Sequence, residues 1–246
     1  MDFDALVTKA AEVSVDGWDF SWLEGRASEE RPPWGYARLM GERLGQASVA
    51  LDVQTGGGEV LAGAPRLPAR MVATESWQPN RVRAAALLGP RATVVAAGSG
   101  PLPFRAGTFD LVTSRHPVAT WWEDVARVLA PGGSFLSQQV GPRSGAEVVD
   151  FFLGPQDWDG RRPSDARAAA EEAGLRVVDL RTARLRMEFH DVGAVIYFLR
   201  KVIWMVPGFT VEAYQSRLAD LHELITTEGP FVAHSSRFLI EARKPE

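Results

Sequence analysis

The chain has 246 residues, of which 46% are hydrophobic and none is cysteine, and its formal net charge at pH 7 is −4. The absence of cysteine excludes disulfides, thiolate metal ligands and a cysteine nucleophile, and it agrees with a reducing, cytoplasmic environment. The negative charge makes nucleic acid an unfavourable main partner, because phosphate neutralisation requires a basic face.

Strands and helices alternate along the chain. Apolar runs predict seven strands, at residues 49–53, 70–74, 93–97, 109–114, 134–140, 175–180 and 238–242. Helical patterns cover residues 36–44, 79–88, 119–129 and 163–173, and Gly174 is a suitable cap for the last of these. The alternation indicates an α/β fold with a mostly parallel seven-stranded sheet and helices on both faces. We interpret Arg161, Arg162 and Arg167 as solvated side chains, and a local basic patch is the alternative.

Two segments do not follow this alternation. The segment to about residue 45 is rich in aromatic residues around SEERPPWG, and between the sixth and seventh strands apolar residues recur at helical spacing over 192–206. Thr210 is a suitable cap for a further helix that ends at residues 228–230. The most apolar stretch contains Arg200 and Lys201 and is too short to span a membrane, and the acidic, polar beginning MDFDALVTKAAEV shows no secretory signal. We therefore predict one domain over residues 1–246, with a helical cap (1–45), a core (46–188 and 231–246) and a helical lid (189–230).

The most informative segment reads LDVQTGGGEVL, over residues 51–61. An apolar strand ends at Asp52, three consecutive glycines follow, and a helical pattern then begins. Gly56, Gly57 and Gly58 permit positive φ angles and close backbone approach in a tight strand-to-helix turn. Such a turn presents bare backbone to a ligand at a helix N-terminus, so we predict a binding site here.

Four motifs in order resemble the class I S-adenosylmethionine-dependent methyltransferases, in particular their type 11 small-molecule group. They are the glycine turn, the acidic Glu75 at the end of the second strand, LPF at 102–104 with FDLV at 109–112, and EDVARVLAPGG at 123–133. The resemblance covers about residues 48–140 and implies a Rossmann-like fold. It also implies S-adenosyl-L-methionine as cofactor, with S-adenosyl-L-homocysteine as product.

The resemblance assigns roles to individual residues. Glu75 would bind both ribose hydroxyls, and Asp52 would hold either the turn or the methionine ammonium. Backbone groups of Thr55, Gly56 and Gly58 would face the ribose and the amino-acid portion. Contacts with the adenine are expected from Ser76, Trp77 and Leu102, with an ordinary core position as the alternative for Trp77.

The sequence departs from the family pattern in two places. Gln54 stands where the family has the first glycine of the turn, so a side chain there reaches the ligand or crowds it. Gly98 stands where an aspartate usually accepts a hydrogen bond from the adenine amino group, and the Ser99 hydroxyl is a possible substitute. Loss of one such polar contact would weaken cofactor binding by about 1–2 kcal/mol.

The acceptor side is predicted from the end of the fourth strand, which in this family faces the transferring methyl group. His116 is the candidate base or acceptor-orienting group, and Arg115 the candidate partner of the donor carboxylate or of an anionic acceptor. Trp34, Tyr36, Tyr197 and Trp204 are candidates for lining an apolar pocket. The histidines show no metal-ligand spacing, and we predict no metal.

Three functions remain open from the sequence. The first is an O- or N-methyltransferase acting on a small organic acceptor, as a monomer or a homodimer. The second is a methyltransferase for a nucleic-acid base, for example in ribosomal RNA, against which the net charge argues. The third is a non-catalytic protein that binds S-adenosylmethionine or its product, or that has lost binding.

Overall fold

The computed structural model describes residues 2–97, 100–158 and 160–246. Within these ranges the strands are β1 (Ala27–Glu29), β2 (Val49–Asp52), β3 (Arg70–Thr74), β4 (Thr93–Val95), β5 (Phe109–Arg115), β6 (Leu129–Val140), β7 (Arg176–Phe189) and β8 (Phe231–Arg243). The α-helices are α1 (Phe3–Glu12), α2 (Tyr36–Leu44), α3 (Glu59–Ala62), α4 (Gln78–Leu88), α5 (Trp122–Val128), α6 (Ala146–Leu153), α7 (Pro163–Glu172), α8 (Val192–Lys201) and α9 (Gln215–Glu228). The predicted α/β fold is confirmed. No helix within the described ranges is long and apolar enough to cross a membrane.

The strand order is β1-β7-β8-β6-β5-β2-β3-β4. From β6 to β4 all neighbours are parallel, whereas β8 is antiparallel to β6 and β1 is antiparallel to β7. The sheet is therefore mostly parallel, as predicted, but the predicted number of seven strands is wrong by one. The additional strand, β1, has three residues and no alternating apolar pattern, so its sequence carries no strand signal.

Alternation along the strands divides the central core into two clusters. Leu51, Val112 and Phe135 belong to one cluster, which includes residues of α5 and α7. Their chain neighbours Ala50, Leu111 and Leu136 belong to the other cluster, with residues of α2 and α4. Since successive strand residues point to opposite faces, helices cover both faces of this part of the sheet.

The chain divides into two compact units. Unit 1 comprises Met1–Arg31, Pro142–Gly160 and Arg184–Ser236, and unit 2 comprises Pro32–Gly141, Arg161–Ala183 and Arg237–Glu246. Unit 1 has a core of its own, to which α1, α6, α8 and α9 contribute. The predicted cap extends to residue 45, whereas unit 2 begins at Pro32, because Trp34, Met40 and Leu44 pack in a core cluster of unit 2.

Several element boundaries differ from the prediction for local reasons. The helix expected from residue 119 begins at Trp122, since the preceding loop is hydrogen-bonded to a side chain of the glycine turn. Thr210 Oγ1 accepts from the amide of Ala213 (3.1 Å), but this caps a turn, and α9 begins only at Gln215. Two predicted strands extend further, β7 to Phe189 and β8 from Phe231.

Candidate functional site

The glycine turn follows β2 at the position where the strand order reverses, because β3 and β5 lie on opposite sides of β2. Positive φ angles occur at Gln54 (57°), Gly56 (63°) and Gly58 (84°). A Cβ atom at Gly58 would approach Ala84 Cα to 3.2 Å, so this glycine also allows α4 to pack on the turn. In open α/β sheets, a crevice at such a reversal is the usual place for a ligand.

Asp52 is buried at the end of β2. Its Oδ1 accepts a hydrogen bond of 2.6 Å from Thr113 Oγ1 on the neighbouring β5. Burial raises the pKa of the Asp52 carboxyl from 3.8 to about 6, and the hydrogen bond from Thr113 opposes that rise. The hydroxyl of Thr55, buried in the same turn, lies close enough to this carboxylate that it also opposes the rise of the Asp52 pKa. The turn thus contains a buried carboxylate whose charged form is disfavoured by burial and favoured by two neighbouring hydroxyl groups.

Glu75 is buried directly after β3 and is hydrogen-bonded to the glycine turn. Its Oε2 accepts from the amide of Gly56 (2.9 Å) and its Oε1 from the amide of Trp77 (2.8 Å). A carboxylate has about four acceptor positions, so two remain for a ligand. Ser76 and Trp77 are exposed, Trp77 to 56%, and both are therefore accessible beside this carboxylate.

Gln54 connects the glycine turn to the loop after β5. Its Nε2 donates to the carbonyl of Ala119 (2.8 Å), and its Oε1 accepts from the amide of Val118 (2.7 Å). The side chain thus spans the crevice between the ends of β2 and β5. The cavity lined by Val53, Gln54 and Leu102 holds only about 10 Å³. The family departure at this position therefore closes the crevice in this conformation.

Leu102 is buried, and both of its backbone polar groups are hydrogen-bonded to α5. Its amide donates to Asp124, and its carbonyl accepts from Arg127 Nη2 at 2.8 Å. This fixes the LPF segment against the helix that follows the loop. The predicted adenine-side residues Gly98 and Ser99 lie outside the described residues.

The structure gives His116 a specific tautomer. Trp34 Nε1, which is only a donor, donates to Gln138 Oε1 at 2.7 Å. The other end of the Gln138 amide, Nε2, therefore donates to His116 Nε2 at 2.9 Å. His116 Nε2 must then be the unprotonated nitrogen, and Nδ1 carries the hydrogen.

The surroundings of His116 keep its ring neutral. Burial first, and then the positive charges of Arg115 and Arg237, lower the pKa of His116 to about 2. Its backbone has φ 53°, which is unusual for a residue other than glycine, and its amide donates to the carbonyl of Gln138 (2.7 Å). His116 is thus held as a neutral donor through Nδ1–H.

The four residues predicted to line an acceptor pocket occupy different environments. In unit 2, Trp34 and Tyr36 are buried, and burial, followed by the negative charge of Asp52, raises the pKa of Tyr36 well above 10. In unit 1, Tyr197 is buried and donates to the carbonyl of Asp19 at 2.9 Å, whereas Trp204 is 58% exposed. Arg115 is exposed at the end of β5.

Sequence reasoning missed three residues that hold this site together, namely Thr113, Asp124 and Gln138. Gln138 lies near the end of β6, in the run SFLSQQV. Because a buried side-chain amide requires hydrogen-bond partners, its place in a buried strand could have indicated a hydrogen-bond network. Thr113 directly follows FDLV and Asp124 lies within EDVARVL, and neither motif by itself predicts the hydrogen bonds of these two residues.

Comparisons with known proteins agree with this architecture. Residues 51–137 match the family described as a methyltransferase domain, which confirms the resemblance stated above, and no curated protein matches the chain. The BH2331 protein of Bacillus halodurans C-125 has a similar fold, with a TM-score of 0.62 and 21% identity over 87% of this chain and 100% of that chain. YcgJ of Bacillus subtilis gives a TM-score of 0.60 and 16% identity over 86% of this chain and 98% of that one.

A third similar structure is the phosphoethanolamine N-methyltransferase 2 of Haemonchus contortus in complex with S-adenosyl-L-methionine. It gives a TM-score of 0.56 and 15% identity over 100% of this chain and 60% of that chain. At these identities the three structures establish the shared Rossmann-like fold.

Proposed function

We propose that this chain, whose residues 51–137 match the family described as a methyltransferase domain, binds S-adenosyl-L-methionine and transfers its methyl group to an oxygen or nitrogen of a small organic molecule. The observation that carries the proposal is the buried carboxylate of Glu75, hydrogen-bonded to Gly56 of the glycine turn at 2.9 Å. The turn and the carboxylate lie where the strand order reverses, which is where this class of sheet binds ligands.

The residues of the turn suit this cofactor. The remaining acceptor positions of Glu75 can take two charge-assisted hydrogen bonds from a ribose diol. The glycines of the turn allow a ligand to approach the backbone. Gln54 must release its hydrogen bonds to residues 118 and 119 for the crevice to open. The cofactor supplies an electrophilic methyl group bound to a positively charged sulfur.

In the reaction, a lone pair of the acceptor oxygen or nitrogen forms the new bond to the methyl carbon. The sulfur–methyl bond breaks with its electron pair moving to sulfur, and the acceptor proton is lost to water. Alignment contributes most to such a displacement. Because the pKa of His116 is lowered to about 2 and its Nε2 is occupied by Gln138, we assign His116 an orienting role as an Nδ1–H donor, not the role of a base.

The first experiment is calorimetric titration of the full chain with S-adenosyl-L-methionine and S-adenosyl-L-homocysteine, with NADH as control. We expect micromolar binding of the first two ligands only. Glu75→Gln should weaken that binding at least about tenfold, because hydrogen bonds to a charged acceptor contribute about 1.5–3 kcal/mol. Glu172→Gln, an exposed position on α7, is the matched control. Equal affinity of the two variants would refute the assignment of Glu75.

The closed crevice at Gln54 supports a second candidate, a non-catalytic protein with this fold that has lost cofactor binding. In that case neither S-adenosyl compound binds, and the Gln54→Gly variant also fails to bind them. The net charge of −4 continues to favour a small-molecule acceptor over nucleic acid. We further propose a cytoplasmic protein without a membrane partner, as a monomer or homodimer, with no metal.

A further inference from the structure

A second cavity in unit 2 lies on the other side of the loop that Gln54 holds. It has a volume of about 230 Å³ and is bounded by the loop after β5, the end of β6 and the beginning of α7. Pro117, Ala119 and Thr120 line both this cavity and the small one beside Gln54. The loop is therefore a shared wall between the glycine turn and an open cavity that begins one residue after His116.

The lining of this cavity combines aromatic walls, neutral polar groups and positive charge. Trp122 and Phe238 contribute aromatic surface. The polar pair is Gln139 and Thr120, with Gln139 Nε2 donating to Thr120 Oγ1 at 3.1 Å. The volume lies below the about 300–1,000 Å³ of pockets for drug-sized ligands, so the cavity accommodates a body no larger than a single substituted ring.

The charged residues of the lining are unequal in number. Among the described residues that line the cavity there are two guanidinium groups, of Arg161 and Arg162, and one carboxylate, that of Asp165. Asp165 pairs with Arg162, with 2.9 Å between Arg162 Nε and Asp165 Oδ2. Arg161 therefore leaves the lining with one net positive charge, and its backbone is held at φ 53°. Guanidinium groups recognise carboxylates and phosphates through paired hydrogen bonds.

We propose that this cavity binds the methyl acceptor and that the acceptor carries a carboxylate or phosphate group on a single-ring body, recognised by Arg161. This assignment rests on the proposed methyltransferase function. It places the ring beside Trp122 and the nucleophilic atom toward the shared wall, near His116. Arg161 is then a specificity-determining residue, and its role differs from that of the solvated arginine expected from sequence.

The test uses three probes with the full chain, with and without S-adenosyl-L-homocysteine. They are 4-hydroxybenzoate, its neutral analogue 4-hydroxybenzamide, and phenyl phosphate, which separates carboxylate from phosphate recognition. Dissociation constants come from ligand-observed NMR. We expect an anionic probe to bind at least about tenfold more tightly than the amide, and Arg161→Gln to remove about that factor.

Two further variants separate this site from general surface charge. Arg167→Gln removes an arginine of α7 that does not line the cavity and should leave probe binding within about twofold of wild type. Ala166→Phe fills the cavity from α7 and should abolish binding of every probe. Unchanged probe binding in Arg161→Gln or in Ala166→Phe would overturn the proposal, and so would no binding of any probe at millimolar concentration.

The failure of this proposal and that of the proposed function are distinguishable. Binding of S-adenosyl-L-homocysteine without binding of any probe refutes the acceptor site and leaves the methyltransferase assignment intact. Probe binding that depends on Arg161, in a protein that binds neither S-adenosyl compound, supports an anion-binding cavity but overturns its assignment to a methyl acceptor.

Discussion

Replacement of Asp52 by asparagine should stabilise the protein. Burial raises the pKa of the Asp52 carboxyl from 3.8 to about 6, and one pKa unit corresponds to about 1.4 kcal/mol. The ionised carboxylate therefore lowers the free energy of unfolding by about 3 kcal/mol at pH 8. Asparagine is uncharged and its Oδ1 can still accept from Thr113 Oγ1, so the variant removes the charge and keeps the contact.

The destabilisation by the Asp52 carboxylate increases with pH. Because the folded state binds this proton more tightly than the unfolded state does, the destabilisation grows as the pH rises from about 4 to about 6 and is complete above that. Urea unfolding followed by tryptophan fluorescence should show Asp52→Asn more stable than wild type by about 3 kcal/mol at pH 8, and by about half as much at pH 5. Asp220→Asn, at an exposed position on α9, should show no such dependence.

The same variant also tests function. If the Asp52 carboxylate holds the methionine ammonium, Asp52→Asn should bind S-adenosyl-L-methionine at least about tenfold more weakly while being more stable. A variant that is less stable at pH 8, or whose stability difference is the same at pH 5 and pH 8, would refute the reasoning. It would mean that the contact with Thr113, and not the burial of charge, dominates at this position.

Gln54→Gly should bind S-adenosyl-L-methionine about thirtyfold more tightly, measured by calorimetry, because wild type must first give up two hydrogen bonds worth about 1 kcal/mol each. Glycine adopts the observed φ of 57° without strain, and Gln54→Ala separates the loss of the side chain from the gain in backbone freedom. In ¹⁵N NMR, His116 should remain neutral and protonated on Nδ1 from pH 8 to pH 5.5, since its pKa is lowered to about 2. Trp34→Phe removes the donor that orients the Gln138 amide, so His116 should then populate both neutral tautomers. An unchanged His116 spectrum in that variant would contradict the proposed chain of hydrogen bonds.

The order of elements could be predicted because each buried strand leaves a local signal. Val49, Ala50, Leu51 and Asp52 are all buried in β2, and a continuous apolar run of this kind is typical of a parallel strand covered on both faces. The glycine turn was predicted from the local pattern and Glu75 from the resemblance to the methyltransferases, and the structure brings the two into hydrogen-bond contact. Their roles in cofactor binding remain predictions.

Contacts between distant residues could not be predicted from local patterns. The chain from Trp34 through Gln138 to His116 joins three segments, and nothing in any one of them specifies the other two. Likewise, Gln54 was recognised as a departure from the family pattern, but its bonding to residues 118 and 119 depends on how the loop folds. The tautomer of His116 and the closed crevice at Gln54 both result from such contacts, so they can be recognised only in the folded structure.

The distribution of backbone strain supports the same location for function. Within the described ranges, four residues other than glycine have positive φ angles, namely Gln54, His116, Arg143 and Arg161. Each such conformation costs of order 1–3 kcal/mol and persists only when the surroundings hold it. Three of the four lie in unit 2 at the positions discussed above: Gln54 closes the crevice, His116 is the candidate orienting group, and Arg161 is the residue that we propose to bind an anion. Glycine at any of these three positions would relieve the strain but would remove the side chain that closes the crevice, donates from Nδ1 or carries the charge. A residue other than glycine is expected to persist at a strained position when the protein requires its side chain there.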